Sequence, residues 1–267
     1  MKEAASETGL SERLALARTL AVAVGHEIEV FRQDAGIAFR RKGLQDFVTA
    51  ADQKAEETIK AALGAAFPED GFVGEETGGA SGEESVWVVD PIDGTTNYIR
   101  GLRHWCVSIA FVRGGEIEIG CIYDATTGQV YSAARGHGAF REERPIAVSR
   151  REDPDEGLAI LGCSRRTSFD DYQSVQRRLY HLGVDYRRLG SAALGLVRVA
   201  SGVADLYYEA HVNAWDVMAG ALIAREAGAV VDMPPLSVML ERGGPLAAHA
   251  PSLGPHLGFL HDLVQAA

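Results

Sequence analysis

The residues most able to do chemistry in this 267-residue chain are those of Asp90-Pro-Ile-Asp-Gly-Thr-Thr-Asn97. Asp90 and Asp93 are forced into one tight turn, and two carboxylates held that close repel each other unless a cation lies between them. Oxygen-only ligands of this kind suit Mg²⁺ or Mn²⁺. The apolar run Trp87-Val-Val89 ahead of them reads as a buried strand that delivers Asp90 at its carboxyl end. Pro91 lacks the N–H needed to continue a ladder, so the strand is expected to end and bend there. Gly94 permits close backbone approach, and Thr95 and Thr96 read as the first turn of a short helix whose free N–H groups would face an anion. Cation ligands and an anion nest in one turn are what a metal-bridged phosphate needs. The alternative reading is a capped strand–helix turn without chemistry.

Three further segments carry acidic residues in suggestive places. Glu75 follows the apolar Phe72-Val73 in Gly74-Glu75-Glu76, though paired glutamates are also ordinary surface charge. Asp216 in Asn213-Ala-Trp-Asp216 opens a helix, where an N-cap role is the common one. Thr49 and Asp52, in Asp46-Phe-Val-Thr-Ala-Ala-Asp52, could simply cap the helix that follows. The weight lies in their joint occurrence in this order.

The elements that must position these side chains follow from hydrophobic period. Leu10, Leu14, Ala17, Ala21, Val24, Ile28 and Phe31 alternate spacings of four and three, which makes one apolar face of a helix over 10–31. A second helix is expected from about Ala51 to Ala66, with Ala55, Ile59, Ala62 and Leu63 on one face and Pro68 and Gly71 to stop it. Trp105–Val112 and Glu116–Tyr123 flank Arg113-Gly114-Gly115 as a hairpin, and Val130–Ala134 follows. Beyond Leu158 the pattern alternates: strands at 158–161, 184–189, 203–208 and 229–232, with helices at 170–182, 191–201 and 216–227. The first half reads as helices over an antiparallel sheet and the second as α/β layers. The polar run 142–156 is the expected junction between two lobes of a single domain spanning 1–267.

A net charge of −11 disfavours nucleic acid and anionic membranes as partners, and obliges any phosphate site to concentrate positive charge locally. Cys106, Cys121 and Cys163 lie in apolar runs with no C-x-x-C pair, as buried reduced thiols in strands would. Glu3, Glu7 and Glu12 precede the first apolar stretch and Arg18 interrupts it, unlike a signal peptide, so a cytoplasmic protein is expected. Arginine pairs at 165–166, 177–178 and 187–188 read as surface, with a second phosphate site as the alternative, and Trp87, Trp105 and Trp215 read as core.

Taken together, Asp46-Phe-Val-Thr-Ala-Ala-Asp-Gln-Lys54, Gly74-Glu-Glu76, the Trp87–Asn97 segment, and Trp215-Asp216 with Glu226-Ala-Gly228 resemble the inositol monophosphatase family of lithium-sensitive, Mg²⁺-dependent phosphatases. The resemblance implies an α/β (α+β) fold, a layered αβαβα sandwich of the sugar-phosphatase kind, and usually a homodimer. It implies two or three Mg²⁺ ions. Glu75, Asp90 and the Ile92 carbonyl would hold the first, Asp90, Asp93 and Asp216 the second, and Glu75 would reach a weaker third. The nucleophile would be a metal-bound water, oriented and deprotonated by Glu75 and by Thr95 hydrogen-bonded to Asp52. The amides of Gly94 and Thr95 would bind phosphate, and Asp93, Gly190, Ala192 and Glu209 would contact the hydroxyls of a small polyol or sugar. Ala229 stands where the family often has a second glycine, 232–250 departs from the usual C-terminal sequence, and Lys42 lies near the family's basic position before Asp46. The leading substrate is myo-inositol monophosphate. The alternatives are the same chemistry on fructose-1,6-bisphosphate, histidinol phosphate or adenosine 3′,5′-bisphosphate, and, in a different class, a regulatory protein that binds the transcription machinery.

Overall fold

The four-and-three spacing near the N-terminus does build a helix, α1 (Lys2–Ala35), in a computed structural model that describes residues 2–35, 39–43, 46–79 and 84–266, with side chains from 9 to 32 and from 49 onward. The antiparallel strands β1 (Phe39–Gly43) and β2 (Asp46–Thr49) lead to α2 (Ala50–Ala66), β3 (Gly71–Gly74) and β4 (Ser85–Asp93). Helix α3 (Thr95–Arg100) precedes β5 (Cys106–Arg113), β6 (Glu116–Asp124), β7 (Gln129–Ala134), β8 (Ala139–Arg141) and β9 (Arg144–Pro145). Then come β10 (Leu158–Leu161), α4 (Phe169–His181), β11 (Asp185–Arg187), α5 (Ala192–Ala200), β12 (Leu206–Val212) and α6 (Ala214–Glu226). The chain closes with β13 (Val230–Asp232), α7 (Leu236–Arg242), β14 (Gly244–His249) and α8 (Gly254–Gln265).

Strands β3 to β9 form a seven-stranded sheet in sequence order, antiparallel except for the parallel pair β3–β4. A five-stranded sheet runs β11-β10-β12-β14-β13, parallel around β10 and antiparallel around β14. Helices α1 and α2 cover one face of the larger sheet, α5 and α6 fill the space between the sheets, and α4 and α8 cover the far face of the smaller one. This is the αβαβα sandwich.

Because both sheets are covered on both sides, their central strands are largely apolar on both faces and the period-2 alternation is divided between two cores. Trp87 and Val89 of β4 pack with Ala21, Val24, Ile59 and Leu63, while Val86 and Val88 face the middle layer with Leu196, Val197 and Met218. Likewise Ala159 and Leu161 of β10 join Val175 and Leu179, and Ile160 turns to the middle layer. Helix α6 is buried almost all round from Val217 to Ala224, as a helix between two sheets must be.

Several local expectations change. Strand β4 does not stop at Asp90. It continues to Asp93 through a bulge: Asp90 pairs with Ser108 and Asp93 with Cys106, so the ladder gains one residue and Pro91 sits where no donor is needed. Strand β12 begins later than 203–208 suggests and runs to Val212, carrying Glu209 into the ladder opposite Leu246. Helix α6 begins at Ala214 with Asn213 as N-cap, so Asp216 is its third residue and completes a capping box. Cys106 and Cys121 are buried strand thiols, but Cys163 lies beyond β10 and is only half-buried. Trp87 and Trp105 are buried core residues, while Trp215 is half-buried against the core. The Gly- and Pro-rich 243–249 segment, given no element in the sequence reading, supplies β14 between β12 and β13.

Gly120 of β6 is where the middle layer meets the large sheet most closely: a Cβ there would lie 2.4 Å from the Ala219 carbonyl oxygen of α6. Backbone cannot yield as a flexible side chain can, so Gly120→Ala is expected to destabilise by about 1–3 kcal/mol. Thermal denaturation should show a fall in Tm of several degrees, and an unchanged Tm would refute this packing.

Candidate active site

The bulge in β4 places the acidic motif. Asp90, 2% exposed, accepts the Ile92 N–H on Oδ1 at 2.9 Å, which closes a small turn around Pro91. Gly94 then takes the left-handed conformation (φ +97°) as N-cap of α3, and a Cβ there would lie 2.9 Å from the His104 carbonyl oxygen. The Thr95 hydroxyl lies 3.0 Å from the Ile92 carbonyl oxygen and 3.4 Å from Asp52 Oδ1, with both as acceptors. Asp52 is itself fixed by the α2 capping box, where its Oδ2 accepts the Thr49 N–H at 2.8 Å and the Thr49 hydroxyl. The capping role and the reach to Thr95 therefore coexist in one carboxylate.

Asp93 crosses to the other half of the molecule. Its Oδ2 accepts the Ser191 hydroxyl at 2.6 Å and the Ala193 N–H at 2.7 Å, and its Oδ1 accepts the Ala192 N–H at 3.3 Å. A carboxylate on the first turn of α5 satisfies amides that have no intrahelical acceptor and complements the helix dipole. Asn97 makes a second tie, donating to the carbonyl oxygens of His104 at 2.8 Å and Leu189 at 2.8 Å. Asp216 accepts the Asn213 N–H at 2.7 Å, and Glu209 accepts the Tyr207 hydroxyl at 2.7 Å. A cleft of about 240 Å³ is lined by Asp93, Gly190, Ala192, Glu209 and Asp216, together with Cys163, Arg188, Ser191 and Tyr207.

Electrostatics tie the remaining acids to this cleft. Burial raises the Asp90 carboxyl well above its ordinary value, and the charges of Glu75, Asp93, Asp216 and Asp52 push it further. Asp216 is lifted to about 8 by burial and then by Asp93. Burial lifts Asp93 to about 6 against the hydrogen bonds from Ser191, Ala193 and Ala192. It lifts Asp52 to about 6 against those from Thr49, and Glu209 to about 7 against that from Tyr207. Among the described contacts, no lysine or arginine forms an ion pair with Asp52, Asp90, Asp93, Glu209 or Asp216. Arg188 lines the cleft and, with Arg166, eases the charge on Glu209, but neither forms an ion pair with these acids, and hard oxygen donors left unpaired fit a hard divalent cation. Among the described residues, no three His, Cys, Asp or Glu side chains stand disposed to hold an ion.

Of the expected residues, Asp93, Gly190, Ala192, Glu209 and Asp216 line one cleft; Glu75, Asp90 and Asp52 do not line it, the charges of Glu75 and Asp52 act on Asp90, and Thr95 hydrogen-bonds to Asp52. The Ala192 N–H is directed at Asp93. The side chain of Lys42 lies outside the described residues. The arginine pairs divide: Arg188 lines the cleft, Arg166 donates to Asn213 Oδ1 at 2.9 Å, Arg187 pairs with Asp185, and Arg178 covers the Phe259 ring. Sequence reasoning missed Ser191, whose place before an apolar helix is an N-cap signal, and it missed the long-range reach of Asn97, which has no local signal.

Comparison with known proteins follows from this geometry. A family model described as the inositol monophosphatase family matches residues 10–263. The chain is 39% identical over 224 residues to a protein named Nus factor SuhB from Xylella fastidiosa, covering 79% of this chain and 82% of that one. It is 40% identical over 215 residues to an inositol-1-monophosphatase from Mesorhizobium japonicum, covering 78% and 80%. The crystal structure of the extragenic suppressor protein suhB from Bartonella henselae superposes with a TM-score of 0.86 at 28% identity, covering 96% of this chain and all of the other.

The raised carboxyl values carry a sign. A folded-state pKa above the unfolded one means that the native protein holds more protons, so the contribution is complete below about pH 4 and lost as pH rises through about 6 to 8. Chelator-treated protein should therefore show a Tm that declines across that window. Added Mg²⁺ should restore it most at the alkaline end, where the carboxylates are ionised. Scanning fluorimetry with and without chelator checks this, and a metal-free Tm that rises with pH would contradict it.

Proposed function

The chain belongs to the inositol monophosphatase family of phosphatases, and from that premise we propose that it hydrolyses the phosphate monoester of a small polyol, with myo-inositol monophosphate the first substrate to test and two or three Mg²⁺ ions (or Mn²⁺) as cofactors. The observation that supports this is the cleft lined by Asp93, Glu209 and Asp216, beside which the buried Asp90 feels the charges of Glu75, Asp93, Asp216 and Asp52. Glu75, Asp90 and the Ile92 carbonyl would hold one ion, and Asp90, Asp93 and Asp216 another, with Glu75 also reaching a third. The ions, when bound, supply acidified water and offset charge on the leaving oxygen. The amides of Gly94 and Thr95 receive the phosphate. Glu75 and the Thr95–Asp52 pair orient the attacking water and accept its proton. The P–O bond to the polyol breaks as the new one forms, and the polyol oxygen leaves with a proton. Asp93, Gly190, Ala192 and Glu209 meet the polyol hydroxyls, with Glu209 held by Tyr207.

The same machinery accommodates fructose-1,6-bisphosphate, histidinol phosphate or adenosine 3′,5′-bisphosphate in place of the inositol ester. A second reading, a regulatory protein that contacts the transcription machinery, is favoured by the similarity to proteins named Nus factor SuhB. The net charge of −11 supports a protein partner over direct RNA contact, and over an anionic membrane. A cytoplasmic homodimer is the assembly proposed. No described helix is long and apolar enough to cross a membrane.

Phosphate release across a panel of phosphomonoesters decides between these readings. The expected result is Mg²⁺-dependent turnover, highest with inositol monophosphate, inhibited by Li⁺, and reduced about 100-fold or more in Asp93→Asn. A folded protein that releases no phosphate from any ester, and whose binding to a protein partner ignores that substitution, would leave only the regulatory reading.

A further inference from the structure

Helix α2 carries a second buried acid, Glu56, one turn beyond Asp52 and 0% exposed. A buried carboxylate is unfavourable unless hydrogen bonds replace its water, so the groups that satisfy it indicate what it holds. Glu56 Oε2 accepts the Glu76 N–H at 2.8 Å, and Oε1 accepts the Thr77 N–H at 2.7 Å. These two amides directly follow Glu75. On the near side, a Cβ at Gly74 would lie 2.4 Å from the Glu56 carboxylate, so glycine at 74 is what lets the acid come this close. The Glu75 N–H meanwhile donates to the Val89 carbonyl oxygen at 3.2 Å. The turn is thus gripped from β4 at residue 75 and from α2 at residues 76 and 77. Positions 52 and 56 share one face of a helix, so a single rigid element holds Thr95 through Asp52 and the Glu75 turn through Glu56.

We propose that Glu56 is a positioning residue that acts through Glu75, holding the 75–77 turn in the conformation that lets the Glu75 carboxylate join the acidic cluster. The proposal rests on the ligand role given to Glu75 above. Glutamine at 56 keeps the shape but offers one acceptor and one amide donor, so one backbone N–H would meet another donor.

The test uses the full chain stripped of metal by chelator. Mn²⁺ is titrated calorimetrically into wild type, Glu56→Gln, Glu75→Gln and the double variant, and amide exchange is measured without metal. In Glu56→Gln, exchange at Glu76 and Thr77 should accelerate at least 10-fold while α5 and α6 keep their protection. Mn²⁺ affinity should fall about 10- to 100-fold. In the Glu75→Gln background, Glu56→Gln should weaken Mn²⁺ no further, because the two act on one contact. Equal weakening in both backgrounds, or none in either, overturns the inference and marks Glu56 as a stability group. If Glu75→Gln alone leaves Mn²⁺ binding unchanged, the ligand role of Glu75 falls, and the inference with it. Should Glu56→Gln fail to fold, Glu56→Asp, which keeps the charge one methylene short, replaces it in every arm and should give a smaller shift in the same direction.

Discussion

Carboxylates lose hydration and repel one another when gathered inside a protein, and this chain buries Asp52, Asp90 and Asp93 and sets the half-buried Glu209 and Asp216 near them. Backbone amides and hydroxyls hold them in place, while no lysine or arginine among the described contacts pairs with them. Asp52 and Asp216 complete capping boxes, Asp93 caps α5 from a distance, and Asp90 closes its own turn. Each donor is neutral, so each orients a carboxylate without cancelling its charge. Without a cation the raised carboxyl values let the cluster hold protons instead, and the acids sit on separate packed elements.

Those elements are rigid because of the layering. The seam between the sheets lies where α5 and α6, enclosed by both, present their first turns toward the bulged end of β4. Covering every face lets the central strands be largely apolar, while much of the acidic site sits at the bulged end of β4 and the first turns of helices. The bulge at Pro91 has a direct consequence for the chemistry. One additional residue in the ladder puts Asp90 and Asp93 against β5 residues two apart, Ser108 and Cys106, and leaves Ile92 free to offer its carbonyl to Thr95. An unbulged strand would separate these functions.

The two halves share the core of the middle layer, and at the acidic motif specific hydrogen bonds also join them. Asp93 to Ser191 and Ala193, and Asn97 to Leu189, join the acidic motif to the loop that forms the wall of the cleft. A phosphate held at the start of α3 and a polyol held near Gly190 and Glu209 would therefore meet a surface whose two parts share hydrogen bonds. Against the −11 charge of the chain, an anionic ester must be drawn by positive charge organised locally, from cations, amides and the Arg188 side chain on the cleft.

Much of this was legible in the residues themselves. Period 3.6 marks α1 and α2, paired glycines mark the β5–β6 turn, and the eight residues from Asp90 to Asn97 announce cation and phosphate chemistry, because such signals lie within one element and owe nothing to distant partners. What the tertiary structure alone decided depends on contacts between segments far apart in sequence. Pro91 reads as a strand end until β5 supplies the register that makes it a bulge. Residues 243–249, marked in the sequence only as a departure from the family's usual C-terminal segment, become a strand when β12 and β13 offer edges on either side. Glu56 draws no attention in the sequence until the 75–77 turn brings two amides to it, and Asn97 reads as the end of a motif until Leu189 arrives from the other half. In each case the local sequence permits more than one conformation, and the choice falls to hydrogen-bond partners that only folding brings within reach.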